Sequence, residues 1–400
     1  MSLDIPFGRR ALLAAAVTRP TSLPCFLADE GIIRGISTIP PQMNWEAASY
    51  GLTSRRVAAL HSAGFNTLRL FLPLQPFLEA ASVRTALTSF VEPWLDYIAR
   101  GTSLGFRVLV SWGSTYEERL EILQKAFVAQ RFHHVLAAVS SGLASRFSPQ
   151  QVALEIMNEP PEDAELRRLG FAPWSGSFAP ALADTVRLHA PDLTIVVQSA
   201  SGGWAEAIPD FDPERFDTNT MLCFHFYTPG EFTHQGAHYP NLYDIPFPIT
   251  RYPGGKAKMH VDVDARIRAD PHLSLEERRA QLERHRILLD YLWYAPAPLG
   301  PSWVTWPKLD AWIAKHRINP LRLLCGEFGV VSHFNFNGSR GCDVNSRARY
   351  LKAVRLAVEN RGFGGWVAHQ AMGDFNLMEQ TSVSQHGEAL IPEITAALFG

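Results

Sequence analysis

Past residue 30 the chain alternates between two kinds of segment. Short apolar runs recur at Ile32–Ser37, Thr67–Leu72, Arg107–Trp112, Val152–Asn158, Thr194–Ser199, Met221–Tyr227, Leu321–Glu327 and Gly364–Ala368. Between them, apolar residues return every three or four positions over Ser54–Ala63, Pro93–Leu104, Phe127–Arg146, Phe178–His189 and Ser346–Arg361. The first kind predicts strands and the second predicts helices with one buried face. The strand segments hardly alternate in polarity, as expected of a parallel sheet covered on both sides. This rhythm predicts an α/β fold, a closed (β/α)8 TIM barrel. An open doubly wound sheet is the rival the same pattern allows.

The connection from Tyr227 to the helix at Trp306–His316 is unusually long and rich in Pro, Gly, His and Tyr. It carries a charged helical stretch, Ser274–Tyr294, where Ser274 and Glu277 have capping-box spacing. An excursion of this length predicts a wall or lid over the barrel mouth, or an oligomerisation element. No internal repeat or second domain interrupts residues 29–400, which read as one catalytic-size unit after an N-terminal segment, 1–28.

That segment reads GRRALLAAAV from Gly8, with Arg9 and Arg10 ahead of a short apolar run. It resembles a twin-arginine export signal with cleavage after Ala28, which predicts a periplasmic or secreted protein. The alternative is the frayed first helix of a cytoplasmic one. No apolar run reaches the roughly 20 residues of a membrane-spanning helix.

Composition narrows the partners. The 400 residues are 46% hydrophobic and carry a formal charge of -2, which favours neither nucleic acid nor an anionic membrane. Cys25, Cys223, Cys325 and Cys342 are scattered, without metal-type spacing or a disulfide pattern. Aromatic residues make up 11% of the chain, which suits stacking on sugar rings but equally suits a core.

In a barrel, chemistry gathers at the carboxyl ends of the strands. Strand 4 ends in Asn158-Glu159, strand 7 in Glu327, strand 6 in His225 and Tyr227, and strand 2 carries Arg69. Two carboxyl groups facing each other over a barrel mouth can cleave a glycoside: one protonates the leaving oxygen and the other attacks the anomeric carbon. An ionised nucleophile wants cationic or hydroxyl neighbours, which Arg69 and Tyr227 can supply. Glu155 is read as a buried partner for an arginine, His133-His134 as a solvated helix face, and Trp204 as a cleft-lining sugar platform. His234 and His238 lack the spacing of a metal site.

These segments resemble glycoside hydrolase family 5, above all its bacterial endoglucanases. The resemblance rests on NEP at Asn158–Pro160, HFY at His225–Tyr227, GEFG at Gly326–Gly329, GEFTHQGAHYP at Gly230–Pro240 and the stretch Ser346–Trp366. It implies Glu159 as acid/base, Glu327 as nucleophile, and Asn158 as the holder of the sugar 2-hydroxyl. It also implies Arg69, His225 and Tyr227 as substrate-site residues. The chain departs from the pattern in three places. VLVSWG ends strand 3 where the family has a histidine, so Trp112 is a candidate replacement platform. His369 follows Trp366 on strand 8 where a Trp platform is expected, and both enter the candidate list. Ser37 stands where many members have Asn.

The implied activity is a retaining endo-β-1,4-glucanase acting on β-glucan or exopolysaccharide, with no metal or cofactor. A β-mannanase or specialised exopolysaccharide hydrolase is the second reading, and an inactive carbohydrate-binding barrel the third. An aldolase or isomerase would need a strand-end Schiff-base lysine or a phosphate-binding glycine loop, and neither is evident.

Overall fold

The computed structural model describes residues 23–27, 31–38, 52–80, 82, 85, 87–228, 230–234, 267–294, 305–332, 342–382 and 385–400. Arg9-Arg10, Ala28, His238 and the parts of the long insertion at 229, 235–266 and 295–304 lie outside them.

Eight parallel strands close into a barrel in sequence order: β1 (Ile33–Thr38), β2 (Thr67–Pro73), β3 (Arg107–Gly113), β4 (Val152–Glu155), β5 (Thr194–Gln198), β6 (Thr220–His225), β7 (Leu323–Phe328) and β8 (Gly365–Ala368). β8 pairs with β1 and completes the circle. The open-sheet alternative is thereby excluded. Helices at Ser54–Ala63, Glu92–Ser103, Ala126–Arg146, Ala179–His189, Thr305–His316 and Val344–Glu359 follow the predicted periodicity within a residue or two. The helix Leu275–Tyr294 starts where predicted, and Ser274 and Glu277 exchange both capping bonds. No described helix is long and apolar enough to cross a membrane.

Strand parity sorts the side chains into two cores. Positions such as Leu68, Leu70, Val108, Val110, Leu222 and Phe224 face outward into the layer shared with the helices. The intervening positions Ile33, Leu109, Ala153, Val196, Met221, Leu324 and Val367 face inward and form the barrel floor. Phe26 and Leu27, in a short 3-10 turn ahead of β1, seal that floor from below. Arg107 fastens the seal by donating to the carbonyls of Phe26, Gly31 and Ile32 at 2.9, 3.1 and 3.0 Å. Above the apolar floor the interior turns polar, with Arg69, Ser111, Glu155 and Gln198 all buried.

Candidate active site

Arg69 is the centre of the polar layer and has no solvent exposure. Its Nε and Nη2 donate to the two oxygens of Glu155, each at 3.0 Å. Nη2 also donates to Ser111 Oγ at 3.2 Å and to Asn158 Oδ1 at 2.8 Å. Nη1 donates to Oε1 of Glu327. A planar, permanently charged fork therefore ties β2, β3, β4 and β7 into one rigid array. Glu155 is the buried arginine partner that the sequence suggested.

Glu327 reaches this array through an irregularity in β7. Phe224 pairs with Cys325 but His225 pairs with Glu327, so the register slips by one residue at Gly326. Such a bulge re-aims the side chain that follows, and it turns Glu327 inward although strict alternation from Leu324 would point it out. The slip needs glycine, because a Cβ on Gly326 would stand 2.3 Å from Cys223 Sγ. Oε2 of Glu327 accepts from Tyr227 Oη at 2.9 Å and lies 3.5 Å from His225 Nδ1 and 3.7 Å from His369 Nδ1. Burial alone would push this carboxyl up, but His225, His369 and Arg69 with its hydrogen bond outweigh it and hold the group well below the usual carboxylate range. Arg69 is the partner charged at every working pH, because burial lowers the affinity of His369 for a proton.

Glu159 sits on the opposite side. β4 ends at Glu155, three residues short of the expected boundary, and Glu159 adopts φ +47°. The left-handed backbone, rare for a residue with a side chain, is held by its own N–H donating to Gln198 Oε1 at 2.8 Å. With Oε1 so used, the Gln198 amide nitrogen faces Glu155, Asn158 Oδ1 at 3.1 Å and His225 Nε2 at 3.0 Å. An NH2 group only donates, so Nε2 of His225 accepts and its proton sits on Nδ1. That proton points at Oε1 of Glu159, 3.2 Å away, and at Glu327. Glu159, His225 and Glu327 each present an atom within 4.8 Å of the others. Such a trio has the donor types of a cation site. Here Arg69 and Tyr227 already occupy both oxygens of Glu327, and the arrangement suits proton transfer and nucleophilic attack better.

The cleft over this pair is lined by Phe71, Asn158, Glu159, Tyr227, His234, Glu327, His369 and Phe375. Of the predicted residues, Arg69, Asn158, Glu159, His225, Tyr227, Glu327 and His369 thus meet in one place. Three tryptophans do not join them. Trp112 lies outward beside Val108 and Val110, 1% exposed, against Phe77 and Phe132. Trp366 is likewise outward, packed on Phe65 and Phe399, with Nε1 donating to Glu359 at 3.0 Å. Both are corrected to core residues, because each falls on the helix-facing parity of its strand. Trp204 is 37% exposed and bridges to His225 in backbone only, outside the lining set. Ser37 is buried, with its Oγ lacking a hydrogen-bond partner.

Sequence reasoning missed Gln198, which orients Glu159, Asn158 and His225 together; its signal was inward parity with Val196. It also missed His234 as a cleft residue. Desolvation lowers His234 to about 4, and its Nδ1 meets Thr233 Oγ1 at 2.9 Å. His133 is corrected too: its Nδ1 bonds Thr185 Oγ1 at 2.7 Å between two helices, while His134 is exposed.

Comparison with known proteins agrees with this geometry. A family model described as cellulase (glycosyl hydrolase family 5) matches residues 29–271, more than half of the chain. No protein of curated function matches it in sequence. Among solved structures, the cellulose synthase subunit Z of Clostridioides difficile has 16% identity and a TM-score of 0.61 over 92% of this chain and 100% of that one. Cel5A of Thermotoga maritima in complex with cellobiose has 16% identity and a TM-score of 0.61 over 92% and 97%. The same enzyme in complex with mannotriose has 15% identity and a TM-score of 0.60 over 95% and 100%. At such identities these structures establish the shared barrel.

Proposed function

The chain belongs to glycosyl hydrolase family 5, and from that premise we propose that this glycoside hydrolase is a retaining endo-β-1,4-glucanase, acting on β-glucan or a related exopolysaccharide. The observation that carries the mechanism is the gap of at most 4.8 Å between facing oxygens of Glu159 and Glu327. Retaining enzymes hold their carboxyl groups about 5–5.5 Å apart, whereas inverting ones leave about 6.5–9.5 Å for a water.

Roles follow from the asymmetry of the pair. Glu327, ionised beside Arg69 and Tyr227, attacks the anomeric carbon. Glu159, 35% exposed at the cleft, gives its proton to the glycosidic oxygen as the C1–O bond breaks. Glu159 then takes a proton from water, which attacks C1 and releases Glu327. In this reading Asn158, whose Oδ1 accepts from Arg69 and Gln198, bonds the 2-hydroxyl of the sugar. The polymer is the expected partner.

A β-mannanase is the second reading. The lining of the cleft, with His369 just past the end of β8 and no tryptophan among the described residues, is compatible with it and equally with a specialised exopolysaccharide hydrolase. The test is hydrolysis of soluble β-glucans, β-mannans and bacterial exopolysaccharides by wild type and Glu327→Ala. Wild-type turnover of one polymer, abolished in the variant, supports the assignment and names the substrate. Equal turnover by both proteins removes Glu327 from the nucleophile role.

A further inference from the structure

The two oxygens of Glu159 face different groups. Oε1 faces His225 and, beyond it, Glu327. Oε2 is the oxygen nearer Arg119, whose Nη2 lies 4.0 Å off. Arg119 stands on the helix Tyr116–Gln124 after β3, in a turn fixed by the Thr115–Glu118 capping box. Its side chain is 9% exposed. Nη1 donates to Ser114 O at 2.7 Å and to Ser114 Oγ at 3.5 Å. The guanidinium lies 5.9 Å from the Tyr116 ring. Nε is buried without a hydrogen-bond partner. A purely architectural arginine would spend its donors on the protein; here a buried cation keeps one donor idle and directs another at Glu159.

We propose that Arg119 is a positioning residue for the acid/base, stabilising the negative charge that grows on Oε2 of Glu159 as its proton leaves. The inference rests on the reading of Glu159 given above. In the glycosylation step the Glu159 O–H bond breaks and the proton goes to the glycosidic oxygen. That oxygen takes the electron pair of the C1–O bond, while an oxygen of Glu327 bonds to C1. A fixed cation beside Oε2 favours the state in which the proton has moved, which is transition-state stabilisation by a preorganised charge. Other ionisable groups around Glu159 are His225 on β6, Glu327 on β7, and His234 and His369 across the cleft. Arg119 is the one that pairs with Oε2, whereas His225 meets Oε1.

The role depends on how much help the leaving group needs. The experiment measures kcat/KM for phenyl and 2,4-dinitrophenyl β-cellobiosides, on the plateau of each pH profile, for wild type, Arg119→Met and Arg119→Lys. Arg119→Met is expected to lose about 10-fold or more on the phenyl substrate, a fraction of what a general acid supplies, and little on the dinitrophenyl one. Arg119→Lys, which keeps the charge, recovers part of the loss. Equal losses on both substrates mark a structural residue and overturn the proposal, as does no loss on either. Should Arg119→Met fail to fold, the same comparison is read from Arg119→Lys. Glu159→Ala separates the two readings. If it loses the dinitrophenyl substrate as heavily as the phenyl one, the acid/base assignment itself has failed, whatever Arg119 does.

Discussion

Tyr227 donates its phenolic hydrogen to Oε2 of Glu327 at 2.9 Å, while Arg69 holds the other oxygen of the same carboxylate. The orientation of Glu327, the proposed nucleophile, is therefore set by two donors, from β2 and from just past β6. Tyr227→Phe leaves the ring packed on His234 and Phe375 and removes one hydrogen bond to a charged group. Such bonds contribute about 1.5–3 kcal/mol. If that is felt in the transition state, kcat falls roughly 10- to 100-fold. Steady-state kinetics measures the loss, and because the bond already exists in the free protein, a lowered melting temperature is expected beside it.

Gly326 gives a sharper structural test. Gly326→Ala places a methyl against Cys223 Sγ and should displace Glu327, with loss of activity and a lower melting temperature. The clash involves one sulfur atom. Cys223→Ala in the same chain should restore both quantities in part. Absence of any rescue would mean the glycine serves something other than that close approach.

The barrel floor predicts a limit on N-terminal processing. Phe26 has no solvent exposure and is held among inward floor residues. Phe26→Ala should cost about 3–5 kcal/mol, the usual range for a buried phenylalanine. Thermal or denaturant unfolding measures it. A chain cut after Ala28 would lose Phe26 and Leu27 altogether. If the Arg9-Arg10 segment directs export, a mature N-terminus ahead of Pro24 is expected, readable by mass spectrometry of the secreted protein.

His234 makes stability depend on pH. Its affinity for a proton is lowered to about 4 by burial, against about 6.5 in an unfolded chain. A lowered value means the native state binds fewer protons. The stabilisation is full above about 6.5 and is lost as pH falls toward about 4. His234→Gln should flatten the fall in melting temperature over that interval. An identical pH dependence in wild type and variant would contradict the assignment.

Much of this site was legible in the sequence because its parts lie at strand ends. The apolar runs located all the barrel strands, and the polar residues closing them included Glu159, Glu327, His225 and Tyr227. What failed was parity. Trp112, a candidate platform, and Trp366, a candidate substrate-site residue, are each out of phase with the inward residues Ser111 and Val367. Glu327 shows the converse: alternation would have turned it outward, and only the register slip at Gly326 brings it in. Gln198 and Arg119 carry no local motif. One lies on an ordinary apolar strand and the other on a helix that reaches back over the mouth, so only the closed barrel brings them to Glu159.

The central claim is the double displacement by Glu327 and Glu159. It is tested most directly by proton NMR of the first sugar product released from a β-glucan oligosaccharide that the enzyme cleaves, recorded before mutarotation. The short carboxylate gap predicts that the β anomer appears first. Initial release of the α anomer would show inversion by a single displacement and would contradict the account.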